Sequence, residues 1–153
     1  MTPPTPLPKQ HLVLVDDDES VRSILRRHLQ RAGYEVREAG EGGAALKLLA
    51  SALPDLIITD IVMPDMEGVE LLITLRKRHP KLPVIAMSGG GRLQPEVYLS
   101  VAKNCGATQI LTKPFEIAEL LALVQQVLGR QPERIPQDPA PDEQRIEITP
   151  TQL

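Results

Sequence analysis

The sequence predicts an α/β protein in which a parallel β-sheet carries helices on both faces. Short apolar runs typical of buried strands alternate with longer segments whose apolar residues recur at helical spacing. Glycines that fit helix ends, such as Gly33 and Gly106, separate the segments. Because strands that alternate with helices pair in parallel, we expect the five strands and five helices to form one sheet covered on both sides.

Each predicted strand has a local signature. The predicted strands are residues 12–15, 34–39, 56–59, 83–87 and 109–112. Four of these runs are short and rich in branched aliphatic side chains, as in buried strands, whereas the second alternates between polar and apolar side chains. This pattern sets the strand boundaries.

The helices are predicted from apolar spacing and from their end residues. The predicted helices are residues 19–32, 41–52, 67–79, 95–105 and 117–128. The first repeats apolar side chains at Val21, Ile24, Leu25 and then His28 or Leu29. Pro95 suits the first turn of the fourth helix. The fifth is amphipathic, with its stripe at Ile117, Leu120, Leu121, Val124, Val127 and Leu128.

Both ends of the chain are rich in proline and polar residues. Residues 1–8 and 131–153 together hold nine of the fifteen prolines, a composition typical of extended, disordered arms. We therefore expect one folded domain over residues 9–130, with a disordered N-terminal arm and a disordered acidic tail.

Charge and cysteine content exclude several classes of protein. The segment 131–153 carries two arginines and five acidic residues, which accounts for the whole net charge of −3, so residues 1–130 are neutral. A neutral domain gives no electrostatic basis for direct nucleic-acid binding. The single cysteine, Cys105, excludes an internal disulfide. The absence of a long apolar run or a signal sequence predicts a cytoplasmic protein without membrane contact.

Polar residues that can bind a metal or take part in a reaction follow four of the predicted strands. Asp16 and Asp17 follow the first, Asp60 the third, Ser88 the fourth and Lys113 the fifth. The carboxyl ends of parallel strands meet at one edge of the sheet, so these side chains should lie together. Clustered carboxylates repel each other unless a cation compensates, and Mg²⁺ or Mn²⁺ suits oxygen ligands. A nucleophilic aspartate, a lysine, a hydroxyl and a metal together fit phosphoryl transfer.

Singly, each of these features has an ordinary structural explanation. Residues 16–19 could be the acidic start of a helix, and residues 88–91 could be a flexible glycine turn. The functional interpretation depends on their joint occurrence, in the required order, at the ends of alternating strands.

Four sequence blocks resemble the signature blocks of response-regulator receiver domains in two-component phosphorelay signalling. The blocks are Val13-Leu14-Val15-Asp16-Asp17, Leu56-Ile57-Ile58-Thr59-Asp60 with Met63-Pro64 and Gly68, Ile85-Ala86-Met87-Ser88, and Lys113-Pro114-Phe115. The resemblance covers residues 10–129. It implies a flavodoxin-like (βα)5 doubly wound parallel sheet with strand order 2-1-3-4-5.

The resemblance also implies a role for each site residue. Asp60 would be the phosphoacceptor, while Ser88 and Lys113 would bind the phosphoryl group. The Lys113–Pro114 peptide bond would be cis. The metal ligands for Mg²⁺ or Mn²⁺ would be Asp16, Asp17, Asp60 and the backbone carbonyl of Val62.

The implied partners are proteins at the two ends of a signalling step. The phosphoryl donor would be a sensor histidine kinase or a histidine phosphotransfer protein. The output would pass to a downstream protein through the face formed by the fourth helix, fifth strand and fifth helix. The resemblance also allows a phosphorylation-dependent homodimer. Because residues 131–153 are too few for an effector, we expect a stand-alone receiver that catalyses only its own phosphotransfer and dephosphorylation.

One position departs from the pattern of the family. Ile110 stands where many receivers carry an aromatic residue that rotates on activation, and an aliphatic side chain cannot reproduce that rotation. We expect residues 89–91, three glycines, to move with Ser88 instead.

Two other interpretations compete with a phosphoacceptor. An Asp-nucleophile phosphatase of the haloacid dehalogenase kind would place its nucleophile after the first strand, and residues 16–18 contain the required D-x-D spacing. The chain lacks the added length and cap of such enzymes. A receiver-like interaction module that no longer takes phosphate would have lost an acid or the lysine, and all are present.

Overall fold

The strands and helices lie where the hydrophobic pattern predicts them. The computed structural model describes residues 9–61, 68–88, 100, 103–104 and 106–129. The strands are β1 His11–Val15, β2 Glu35–Ala39, β3 Leu56–Asp60, β4 Val84–Ser88 and β5 Gln109–Thr112. The helices are α1 Glu19–Arg31, α2 Gly42–Ser51, α3 Gly68–Arg78 and Ile117–Leu128, which we call helix 117–128. These bounds agree with the predicted ones to within one residue.

Three expectations fall on residues outside this description. They concern the terminal arms at residues 1–8 and 131–153, the Val62 carbonyl and the glycine loop at residues 89–91. The predicted fourth helix, residues 95–105, is described only at Ser100, Lys103 and Asn104, which are helical.

The sheet is parallel throughout, with the order β2-β1-β3-β4-β5. This confirms the predicted fold and strand order. The central strands β1 and β3 pair through Val15 and Thr59, and β3 pairs with β4 through Asp60 and Met87. The carboxyl ends of β1, β3 and β4 therefore lie side by side.

Hydrophobic layers cover both faces of the sheet. In β1, Val13 and Val15 face the layer built from α2 and α3, whereas Leu12 and Leu14 face the layer built from α1 and helix 117–128. All four side chains are fully buried, and each such burial contributes roughly 2 kcal/mol. Within the described residues, no helix combines the length and apolar character that a membrane crossing requires.

Helix α1 corrects one expectation about the core. Its buried stripe contains Leu25 and Leu29, which settles the alternative between His28 and Leu29. Ile24, expected on the same stripe, is 45% exposed. Leu25 and Leu29 are four residues apart and face the sheet together, so Ile24 lies to the side of their stripe. Gly33, with φ +103°, follows the end of the helix as predicted.

Gly68 allows α3 to begin directly against the end of β3. A Cβ atom at this position would lie 2.2 Å from the backbone oxygen of Asp60 and 2.2 Å from the Cα of Ile61. The amide of Gly68 also donates a hydrogen bond of 3.1 Å to the Ile61 carbonyl. Only glycine fits this approach, and the backbone that carries Asp60 is fixed by it.

We expect Gly68→Ala to lower the free energy of unfolding by about 3 kcal/mol, the upper end of typical overpacking costs, because the clash is with backbone. The matched control is Gly43→Ala in α2, where the nearest atom to a new Cβ is Glu41 Oε1 at 3.5 Å, an ordinary contact. The control should be neutral or stabilising by roughly 0.5–1 kcal/mol. Urea unfolding of both variants measures the difference, and equal stabilities would contradict the close approach.

Candidate functional site

Three carboxylates meet at the carboxyl edge of the sheet. Asp16 follows β1 and is fully buried, Asp60 ends β3 and is 7% exposed, and Asp17 is exposed. Carboxylate oxygens of the three lie within 4.8 Å of one another, close enough to hold one metal ion. The edge rule for parallel sheets thus predicts their meeting from sequence alone.

Lys113 joins the two buried carboxylates across the sheet. Its Nζ donates hydrogen bonds to Asp16 Oδ2 at 3.0 Å and to Asp60 Oδ2 at 3.1 Å. The backbone amide of Lys113 donates to the Ser88 carbonyl at 2.7 Å, which holds the end of β5 against the end of β4. The Lys113–Pro114 bond is cis, as predicted.

The electrostatics of Lys113 follow from these contacts. Partial burial alone lowers the pKa of the ammonium, but the charge of Asp60, the hydrogen bond to Asp16 and the charge of Asp16 outweigh it. The pKa of Lys113 is therefore raised above its ordinary value of 10.5. The lysine is a permanent cation at neutral pH.

Residues 16–18 include one residue with a structural role, Asp18, and two residues of the site, Asp16 and Asp17. Asp18 is the N-cap of α1, and its Oδ1 accepts hydrogen bonds from the amides of Ser20 at 2.9 Å and Val21 at 3.2 Å. Its own amide donates to Asp16 Oδ1 at 2.9 Å. The ordinary explanation of an acidic helix start therefore holds for Asp18, whereas Asp16 and Asp17 turn toward Asp60.

Ser88 brings a buried hydroxyl to the end of β4. Its side chain is fully buried, and its Oγ has no hydrogen-bond partner among the described residues. A buried hydroxyl without a partner is unfavourable, and such groups in folded proteins call for a specific explanation. A ligand oxygen bound next to Asp60 would supply the missing partner.

The donor set fits a divalent cation. Among the described residues, the three carboxylates of Asp16, Asp17 and Asp60 and the ammonium of Lys113 sum to a formal charge of −2. All the available donors are oxygens, which hard cations such as Mg²⁺ prefer. The predicted ligands Asp16, Asp17 and Asp60 are brought together, and the fourth, the Val62 carbonyl, stays a prediction.

The sequence interpretation missed two contacts that shape the site. Gly68 supports the Asp60 backbone, as described above, although it was noted only as part of a signature block. The second is Arg22, whose Nη1 donates to the Asp16 carbonyl at 2.8 Å. An arginine beside the apolar stripe of α1 and above a strand that carries Glu38 is a weak signal, and only the structure shows its target.

Comparison with known proteins agrees with this geometry. A family model described as the response regulator receiver domain matches residues 12–125. The chain is 37% identical over 136 residues to the DNA-binding transcriptional regulator NtrC of Bradyrhizobium sp. (strain RP501 Parasponia), covering 89% of this chain and 28% of that protein. It is 40% identical over 121 residues to NtrC of Escherichia coli (strain K12), covering 79% and 25%. The chain thus spans about a quarter of the length of these curated relatives.

Solved structures give the same result. A response regulator from Chloroflexus aurantiacus J-10-fl matches with a TM-score of 0.73 at 34% identity, covering 80% of this chain and 100% of that one. The chemotaxis protein CheY4 of Vibrio cholerae matches with a TM-score of 0.70 at 34% identity, covering 78% and 99%. The chain belongs to the family of response regulator receiver domains.

Proposed function

We propose that the chain is a phosphoacceptor switch in which Asp60 receives a phosphoryl group from a phosphohistidine. The observation that carries this proposal is the position of Asp60, held by Lys113 beside Asp16 and Asp17 at the sheet edge. In the transfer, an Asp60 carboxylate oxygen attacks phosphorus, the new O–P bond forms, and the N–P bond to the donor imidazole breaks.

The residues around Asp60 supply the positioning and charge that phosphoryl transfer needs. Lys113 keeps its proton, contacts Asp60 directly and is placed to pair with a phosphoryl oxygen. Ser88 offers a hydroxyl that has no hydrogen-bond partner in the described part of the chain, and this hydroxyl can donate to another phosphoryl oxygen. Asp16, Asp17 and Asp60, with the Val62 carbonyl, would hold Mg²⁺ or Mn²⁺. When bound, the metal would neutralise charge on the phosphoryl oxygens.

The proposed partners follow from this chemistry. The donor is a sensor histidine kinase or a histidine phosphotransfer protein in the cytoplasm. The output passes to a downstream protein through the face of the predicted fourth helix, β5 and helix 117–128. The curated relatives extend well beyond the region that this chain matches.

The position of the nucleophile favours a receiver over a phosphatase. In the phosphatase alternative the nucleophile would follow β1. There Asp16 is fully buried and both its carboxylate oxygens accept hydrogen bonds, Oδ1 from the Asp18 amide and Oδ2 from Lys113, while Asp18 caps α1. Asp60 lies at the end of β3 beside Asp16 and Asp17, where the receiver interpretation places the nucleophile. The retained acids and lysine likewise favour phosphorylation over a purely binding role.

Phosphorylation should occur at Asp60 and nowhere else. Incubation with acetyl phosphate and Mg²⁺ should add one phosphoryl group to the wild type, detectable by intact mass and labile to hydroxylamine, and Asp60→Asn should gain none. Asp55→Asn is the matched control, because Asp55 lies before β3 at the opposite edge and accepts a hydrogen bond from the His11 amide. An unchanged gain in Asp60→Asn would refute the assignment.

We expect Ser88→Ala to slow phosphorylation without lowering the free energy of unfolding. Because the hydroxyl has no partner among the described residues, its removal should leave the unfolding free energy unchanged or raise it by up to about 1 kcal/mol. Thr59→Val is the matched comparison, since Thr59 Oγ1 donates to the Asp60 carbonyl, and should cost roughly 1 kcal/mol. Phosphorylation of Ser88→Ala by acetyl phosphate should be slower than that of the wild type. A large stability loss in Ser88→Ala with normal phosphorylation would contradict the proposed role.

Lys113 should stabilise the fold in a pH-dependent way. Because its pKa is raised in the folded state, the contribution of Lys113 to the free energy of unfolding is complete below pH 10.5. That contribution is lost as the pH rises through the higher pKa of the folded state. At pH 7 the free energy of unfolding of the wild type should exceed that of Lys113→Met by roughly 3 kcal/mol, because the variant leaves two buried carboxylates without their cation. This is the lower end of the usual cost, since the Lys113 side chain is 24% exposed. Denaturant unfolding without metal should show that the difference in unfolding free energy between the wild type and Lys113→Met becomes smaller above pH 10.5. Lys77→Met, at an exposed lysine, should show neither effect, and a gap that widens with pH would contradict the argument.

A further inference from the structure

We propose that Arg22, held by Glu38, is a positioning residue that fixes the Asp16–Asp17 peptide for metal binding. The inference rests on the proposed function, because it concerns the affinity of the acidic cluster for Mg²⁺. Arg22 belongs to α1 and does not touch any of the three carboxylates of the cluster in the described contacts.

The main chain at Asp16 is held from both sides. The amide of Asp16 donates to the Ala39 carbonyl of β2 at 3.2 Å, and its carbonyl accepts from Arg22 Nη1 at 2.8 Å. That carbonyl belongs to the peptide bond between Asp16 and Asp17. Its orientation therefore sets the direction in which the Asp17 side chain leaves the backbone.

Glu38 fixes the guanidinium of Arg22 in turn. Its Oε1 accepts from Arg22 Nε at 3.0 Å, and its Oε2 accepts from Arg26 Nη1 at 2.7 Å. The Arg22 and Glu38 side chains are 17% and 24% exposed, so this ion pair is largely shielded from water. Arg22 donates from two separate atoms of one rigid plane, Nε to Glu38 and Nη1 to the Asp16 carbonyl, and the single ammonium of a lysine cannot reproduce that fixed geometry.

Gly40 leaves room for this arrangement. A Cβ atom there would lie 3.2 Å from Arg22 Nη1, tighter than ordinary packing. Arg22 is thus enclosed by β2, by the Asp16 carbonyl and by the chain at Gly40, so its position is determined on three sides.

A positioning role and a purely electrostatic role of Arg22 predict opposite effects of its removal on Mg²⁺ affinity. A guanidinium near a cation site repels the cation, so removal of its charge alone would strengthen Mg²⁺ binding. If Arg22 holds the Asp16–Asp17 peptide in place, its removal instead loosens the ligand geometry, which Mg²⁺ tolerates poorly. Outer contacts that orient metal ligands typically contribute 10–100-fold in affinity.

The test measures Mg²⁺ dissociation constants by calorimetry at fixed ionic strength, with metal-free unfolding of each variant in parallel. Arg22→Gln should weaken Mg²⁺ binding about tenfold. Arg26→Gln is the matched control, because it removes a charge from the same Glu38 but leaves the Arg22 contact with the Asp16 carbonyl, and should stay within about twofold of the wild type. If Arg22→Gln is unfolded without metal, Arg22→Lys takes its place under the same criterion.

Equal or tighter Mg²⁺ binding in the Arg22 variant would overturn the inference. An equal loss of affinity in Arg26→Gln would also overturn it, because it would indicate a general disturbance of the ion pairs with Glu38 and no specific role for the contact with the Asp16 carbonyl. Asp17→Ala separates this failure from failure of the proposed function. If Asp17→Ala loses Mg²⁺ affinity and Arg22→Gln does not, only the positioning role is wrong. If Asp17→Ala binds Mg²⁺ as the wild type does, the metal site itself is wrong.

Discussion

The interaction on which the rest of the structure depends is the bridge from Lys113 to Asp16 and Asp60. Two buried carboxylates on neighbouring strands repel each other and are costly to desolvate unless a cation lies between them. Lys113 enters from the end of β5 and meets both, so one side chain ties β1, β3 and β5 together at the carboxyl edge. Without Lys113, the fold would bring two carboxylates together in a buried site with no cation to offset their repulsion and desolvation.

The bridge compensates the acids only in part, and this explains the chemistry of the site. With Asp17 included, the described side chains of this cluster keep a formal charge of −2, which favours a divalent cation. Ser88 carries a second local cost, a buried hydroxyl without a partner among the described residues. Unfavourable local features of this kind persist at functional sites because the surrounding core holds them in place. Here the two hydrophobic layers on either face of the sheet provide that support.

Sequence patterns predicted the elements and the meeting of the site residues, because both depend on local periodicity and on one topological rule. The contacts that set the site's exact shape were not predictable in this way. Gly68 and Arg22 act through approaches between segments distant in sequence, namely α3 against β3 and α1 against the Asp16 carbonyl. Ile24 fits the apolar spacing of α1 and is nevertheless 45% exposed, because spacing alone does not fix which side of a helical stripe faces the sheet.

The main chain offers a connection from the site to β5 that does not need an aromatic residue at position 110. Lys113 contacts Asp60 through its ammonium, and its amide is bonded at 2.7 Å to the carbonyl of Ser88. Ser88 and Thr112 are also direct partners in the β4–β5 register. These backbone contacts connect Ser88 directly to the end of β5. Ile110 is partly buried and pairs with Ala86 in the same ladder, so it lies on the strand that these contacts join to the site.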